Sequence, residues 1–303
     1  MMIRSANIFL FVIALTRSAF AQESFFINYD YGKLYYQKYG KGEVIFLLSG
    51  GPGNDCSQLR DVAIALSKHY TVILPEQRGT GRSIPNKLDS TTINVSALTT
   101  DLKNLIDHLN VKKAKIIGHS WGAMLAMNFA ALNPQRVESL YLLSPGPYNQ
   151  WSKNFAVLQA NISSRLGKHE LETLMTLSEK RQKGTASKSD SITFRKTARL
   201  AYIYDKNKLD SLFNKIEVKQ YPQMQQLMLK DMQKNFDVSA SLNNYKGPIH
   251  IVCGRQDVLA FCTYELQLLR PSVKVIWINN SGHFPMYEQS TEFYAQLTSV
   301  LKD

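Results

Sequence analysis

The sequence predicts an α/β fold in which a mostly parallel central sheet carries helices on both faces and a helical insertion interrupts the alternation. Three observations predict it. Six short runs of apolar β-formers recur along the chain without strict polar alternation, as strands covered on both faces require. Stretches with helical spacing separate most of them, and repeated strand-helix-strand order argues parallel pairing. One gap of about a hundred residues, Gly146 to Lys246, breaks the rhythm and keeps helical spacing of its own.

The elements follow in order. Arg4, the apolar block Ile8 to Leu15 and the small-x-small pattern at Ala19 to Ala21 read as a secretory signal peptide, residues 1–21, removed after Ala21. The block is shorter than the roughly 20 apolar residues that span a bilayer. No Cys follows the cut to carry a lipid, and no other stretch is long and apolar enough to span, so the expected destination is the periplasm or the exterior, without stable membrane insertion. "SFFINYD" and "KLYYQKYG" then read as a hairpin around a Tyr-Gly turn. The buried strands are expected at Glu43–Gly50, Tyr70–Gln77, Lys113–Ser120, Glu138–Pro145, Gly247–Gly254 and Ser272–Asn279. Helical patterns cover Leu59–Leu66, Val95–Leu109, Ala123–Leu132, Tyr264–Leu269 and Glu288–Leu301. The core domain is thus expected from 22–145 and 247–303, with 146–246 a helical cap lying over the strand ends. That insertion is rich in Lys, Met and Leu and shows no buried strand; "KRQKGTASKSDS", Lys180 to Ser191, is its most disorder-prone piece, small, polar and charged.

Composition bounds the function. The 303 residues are 44% hydrophobic and 11% aromatic, enough for a substantial core, and carry a net charge of +12. Losing Arg4 and Arg17 with the leader leaves +10 over 282 residues. The basic residues are scattered, so they read as a solvated surface and not as a nucleic-acid footprint. Cys56, Cys253 and Cys262 are an odd set that allows at most one disulfide; Cys253 and Cys262 are the nearest pair, and spacing alone does not establish a bond. No Cys or His spacing indicates zinc. The sequence is silent on oligomeric state.

The chemistry gathers around "GHSWG". Gly118 and Gly122 flank Ser120 at the G-x-S-x-G spacing of a strained strand-to-helix turn, with an apolar strand before it and a helical pattern after it. A Ser hydroxyl needs a base to take its proton, and the base needs a third group to fix its tautomer. Asp257 in "IVCGRQD" and His283 in "WINNSGHF" each follow a predicted strand, in the chain order Ser, acid, His. The other His residues, at 69, 108, 119, 169 and 250, have no such placement, and His119 reads as structural. "SGGPG", Ser49 to Gly53, follows the first buried strand, where Gly51 can offer a backbone N–H to an oxyanion; the N–H of Trp121 is the second expected donor. A phosphate loop is disfavoured, because neither G-x-x-x-x-G-K-[ST] nor G-x-G-x-x-G occurs there.

These blocks resemble the α/β-hydrolase superfamily and, within it, the proline iminopeptidase group of serine aminopeptidases. The resemblance rests on "GGPG", "EQRGTGRS" and "GHSWGAMLAM", with "GRQD" and "SGHFPMYE" completing it. It implies an α/β-hydrolase fold with Ser120 as nucleophile, His283 as general base and acid, Asp257 as its orienting partner, and Gly51 with Trp121 as oxyanion donors. Arg78 and Arg82 then belong to a shaping loop. The resemblance also implies removal of an N-terminal residue from short peptides, with cap carboxylates holding the free amine; Glu170, Glu172, Glu179 and Glu217 are available and none is singled out. Three departures stand out: Ser49 where the group usually has His, Glu76 where it usually has Asp, and a cap without W-x-x-W-E, whose only Trp is Trp151. The last leaves a preference for Pro open. The expected function is an exported serine hydrolase, an aminopeptidase on small peptides, without metal or organic cofactor. The alternatives are a carboxylesterase or other small ester and amide hydrolase with the same triad, and a non-catalytic binding protein on the same fold.

Overall fold

The computed structural model describes residues 22–302; the expected signal peptide falls outside them. The hairpin forms from β1 (Glu23–Tyr29) and β2 (Gly32–Tyr39), paired antiparallel. The remaining strands are β3 (Glu43–Leu48), β4 (Tyr70–Pro75), β5 (Ala114–His119), β6 (Val137–Leu143), β7 (Ile249–Gly254) and β8 (Lys274–Ile278). They make one eight-stranded sheet in the order β1-β2-β4-β3-β5-β6-β7-β8. From β4 to β8 every pairing is parallel, and β2 joins β4 antiparallel.

Unbroken apolar sequence in the central strands has a direct cause. Side chains alternate between faces, and both faces are covered: Phe46, Leu48, Ile116, Leu140 and Leu142 enter one cluster, while Ile45, Leu47, Ile117, Tyr141 and Leu143 enter the other. On the first face lie α2 (Val95–His108) and α3 (Trp121–Leu132); on the second lie α1 (Arg60–Leu66) and α11 (Ser290–Lys302). Asn94 starts α2 by accepting from the Ala97 N–H at 2.8 Å. The expectation of burial on both faces fails for β8, whose first four residues are not buried; in the hairpin strand β1, Phe25 and Phe26 are likewise exposed. Both strands end the sheet and have only one neighbour.

Between β6 and β7 the chain forms α4 (Trp151–Arg165), α5 (Lys168–Gln182), α6 (Lys188–Arg199), α7 (Leu209–Ile216) and α8 (Pro222–Asn235). Met224, Met228 and Met232, spaced by four, put one face of α8 into the core cluster of α3. The stretch 180–191 differs from its disorder-prone reading. It completes α5, turns at Gly184 (φ +70°) and starts α6 through a capping box between Ser187 and Asp190, with Lys180 3.1 Å from Asp190. Local capping thus orders what composition alone does not. After β7, α9 (Ala260–Leu269) leads to β8, and the short α10 (Pro285–Glu288) precedes α11. Cys56, Cys253 and Cys262 are buried free thiols. No helix among the described residues is long and apolar enough to cross a membrane.

Candidate active site

Ser120 stands at the turn from β5 into α3 with φ +55° and ψ −115°, a left-handed conformation that costs a non-glycine residue of order 1–3 kcal/mol. The flanking glycines make the turn feasible. A Cβ on Gly118 would stand 2.3 Å from the Gly122 carbonyl oxygen, and one on Gly122 would stand 2.2 Å from that of Leu48. Ser120 donates its N–H to Leu143 at 2.9 Å, tying the turn to β6.

Asp257 lies in the loop after β7 and His283 in the loop after β8, both buried. Their side chains meet, with His283 Nδ1 2.8 Å from Asp257 Oδ2. A carboxylate only accepts, so Nδ1 carries the proton and Nε2 keeps its lone pair. The other Asp257 oxygen accepts from the Leu259 N–H at 2.9 Å. Ser120, His283, Gly51 and Trp121 line one cavity of about 170 Å3, while Asp257 stands outside it, beyond the imidazole.

Trp121 is the first residue of α3, so its N–H has no carbonyl within the helix to bond. Gly51 has φ +134°, and the loop that holds it is braced by Gln77, whose Nε2 donates to the Ser49 carbonyl at 2.8 Å. The same Gln77 amide accepts from the Trp121 indole at 2.7 Å. One side chain therefore spans both candidate donor positions. Arg78 and Arg82 do not line the cavity. Arg78 forms a buried pair with Asp101, Nε to Oδ2 at 2.8 Å, and Arg82 lies 3.3 Å above the Tyr35 ring. His119 donates Nε2–H to the His283 carbonyl at 3.0 Å, and burial followed by the nearby His283 pushes its pKa down to about 3.

Tyr202, Arg165 and Arg199 carried no signal in the sequence, and Glu288 only that of closing the block "SGHFPMYE". Tyr202, after α6, accepts the His283 N–H at 2.7 Å, and a Cβ on Gly282 would stand 2.2 Å from that Tyr202 oxygen. Glu288 accepts from the Gly282 N–H at 2.9 Å, the Phe284 N–H at 3.2 Å and, through its other oxygen, the Tyr204 N–H at 2.6 Å. Burial raises its carboxyl pKa in spite of those bonds. Arg165 donates to the Gln256 and Ile203 carbonyls, joining α4 to the Asp257 loop. Arg199 lines the cavity. None of Glu170, Glu172, Glu179 and Glu217 does, and Glu217 is ion-paired with Arg195. No group of three or more His, Cys, Asp or Glu placed to hold a metal ion occurs among the described residues.

The alpha/beta hydrolase fold family matches residues 43–290. A proline iminopeptidase from Heyndrickxia coagulans is 27% identical over 91% of this chain and 97% of its own length. A soluble epoxide hydrolase from Corynebacterium sp. (strain C12) is 35% identical over 38% of this chain and 39% of its own. Among solved structures, a proline iminopeptidase-related protein from Thermus thermophilus superposes with a TM-score of 0.70 at 19% identity, covering 93% of this chain and 98% of that one.

Proposed function

The chain belongs to the alpha/beta hydrolase fold family, and from that premise we propose that it is a serine hydrolase cleaving small esters or amides through an acyl-enzyme. The observation that carries the reading is the buried His283 whose Nδ1 lies 2.8 Å from Asp257 and whose ring lines the same cavity as the strained Ser120. In the first step the Ser120 hydroxyl attacks the substrate carbonyl while His283 Nε2 takes its proton. The Gly51 and Trp121 N–H groups receive the developing oxyanion; losing one such donor costs roughly 3–4 kcal/mol of transition-state stabilisation. The imidazolium, held by Asp257, then protonates the departing alcohol or amine. Water repeats the sequence on the acyl-enzyme and frees Ser120.

In this reading residues 146–246 act as a cap that limits substrate size, and residues 1–21 direct export and are removed. The narrower aminopeptidase reading draws on the relative from H. coagulans and calls for a carboxylate to hold the free amine. Among the described residues no Asp or Glu lines the cavity, so hydrolysis of an ester or amide without a recognised ammonium is the reading the geometry favours. A binding protein on this fold would have no need of a paired Asp-His beside Ser120.

The test is labelling by a fluorophosphonate probe, with turnover of p-nitrophenyl acyl esters and aminoacyl-arylamides measured in parallel. One adduct on Ser120, and loss of both label and turnover in Ser120→Ala with unchanged melting, are expected. Full turnover in that variant, or an adduct elsewhere, refutes the assignment.

A further inference from the structure

We propose that Arg199 is an anion-binding residue of this cavity and that the substrate is an ester or amide carrying a carboxylate close to the reacting carbonyl. The proposal rests on the hydrolase reading above and names its substrate class. Arg199 closes α6 and lines the cavity together with Ser120 and His283. Its guanidinium lies 5.5 Å from the centre of the Phe284 ring, whose centre is in turn 5.2 Å from that of the His283 ring.

No ion pair or hydrogen bond engages that guanidinium among the described residues. The charged and titratable groups acting on it are Tyr202, Glu217, Arg195 and His119, and Glu217 is already paired with Arg195. Arg199 is part-buried, and burial lowers its pKa, as for a cation partly screened from water without a matched counter-charge. The other polar side chains around the cavity, including Asn54, Gln220 and Gln225, are neutral. A guanidinium presents parallel N–H groups that fit a carboxylate in two-point fashion, and it repels the ammonium of a free N-terminus. The net positive charge of the chain adds long-range attraction for small anions.

Two ester pairs test this in the full-length protein. The first compares p-nitrophenyl hemiglutarate with p-nitrophenyl pentanoate and places the charge on the acyl side. The second compares 4-(butyryloxy)benzoate with phenyl butyrate and places it on the leaving group. At least one anionic ester is expected to exceed its neutral counterpart about tenfold or more in kcat/KM. Arg199→Gln is expected to bring that ratio close to one, mostly through KM, and Arg199→Lys to retain part of it. As a readout independent of turnover, glutarate or 4-hydroxybenzoate should raise the melting temperature of Ser120→Ala and not of Ser120→Ala/Arg199→Gln. Equal rates for both members of both pairs, or a ratio unmoved in Arg199→Gln, overturn the proposal. If Ser120 takes the fluorophosphonate while the ratios stay at one, the anion site alone has failed. If no ester turns over but the carboxylate still stabilises through Arg199, the hydrolase reading alone has failed.

Discussion

Glu288 gives the sharpest test of how the His283 loop is held. Its carboxylate bonds the N–H groups on both sides of His283, at 2.9 Å and 3.2 Å, through one oxygen and the Tyr204 N–H of the insertion through the other. In Glu288→Gln the amide can keep its oxygen on the two loop donors only by turning its NH2 toward the Tyr204 N–H. One charge-assisted bond is then lost, roughly 1.5–3 kcal/mol, partly offset because a charge whose burial raises its pKa is removed. A net cost of roughly 1–2 kcal/mol is expected. Glu288→Ala leaves all three donors without a partner and should cost roughly 3–5 kcal/mol. Activity separates the two further. The Gln variant keeps the bonds beside His283, so its kcat should fall less than about tenfold; the Ala variant frees the loop, and displacement of a catalytic base by about 1 Å can cost roughly a hundredfold. Urea titration gives the stability and an acyl-ester assay gives kcat. Equal stability and equal rate for Glu288→Ala and the parent protein would refute this account.

Gly122→Ala drives a Cβ to 2.2 Å from a backbone oxygen and should cost more than about 3 kcal/mol in urea titration, whereas Gly184→Ala, with open space but φ +70°, should cost about 1 kcal/mol. Gln77→Leu releases both the Ser49 carbonyl and the Trp121 indole; kcat for ester hydrolysis should drop roughly 10- to 100-fold with little change in KM. His119 has its pKa pushed down to about 3 against roughly 6.5 unfolded, so between these values the unfolded chain binds the extra proton. Its contribution is therefore complete above pH 6.5 and lost as pH falls. Relative to His119→Gln, the parent protein should lose roughly 1.6 kcal/mol more stability between pH 6.5 and pH 5, read from melts in parallel buffers.

Much of this architecture is legible in the chain because it rests on local rules. Apolar runs such as "YTVILP" read as strands, and in β4 all six residues are buried, while Gly118 and Gly122 bracket Ser120 because a Cβ at either position meets backbone. The order Ser120, Asp257, His283 is visible because each follows a strand. What escapes the sequence arises from contacts far apart along the chain. Nothing near Tyr202 announces that its carbonyl will receive the His283 N–H 81 positions later, and Glu288 looks like an ordinary helical charge until the loop before it folds back. Gln77 sits inside a recognisable block, yet its two roles emerge only when β3 and α3 come together. The acids of the insertion err in the opposite direction: they are visible in the chain and lie off the cavity.

In the proposed reading, the wedge of Gly282 against Tyr202 ties substrate selection to proton transfer. Arg199, the proposed ligand-selecting residue, closes α6, and the Tyr202 carbonyl three positions on receives the His283 N–H, so the segment cannot be exchanged wholesale for that of a distant cousin. Under that reading, changes in specificity arise as small side-chain replacements on an unaltered frame, such as at Arg199, rather than by grafting a foreign segment.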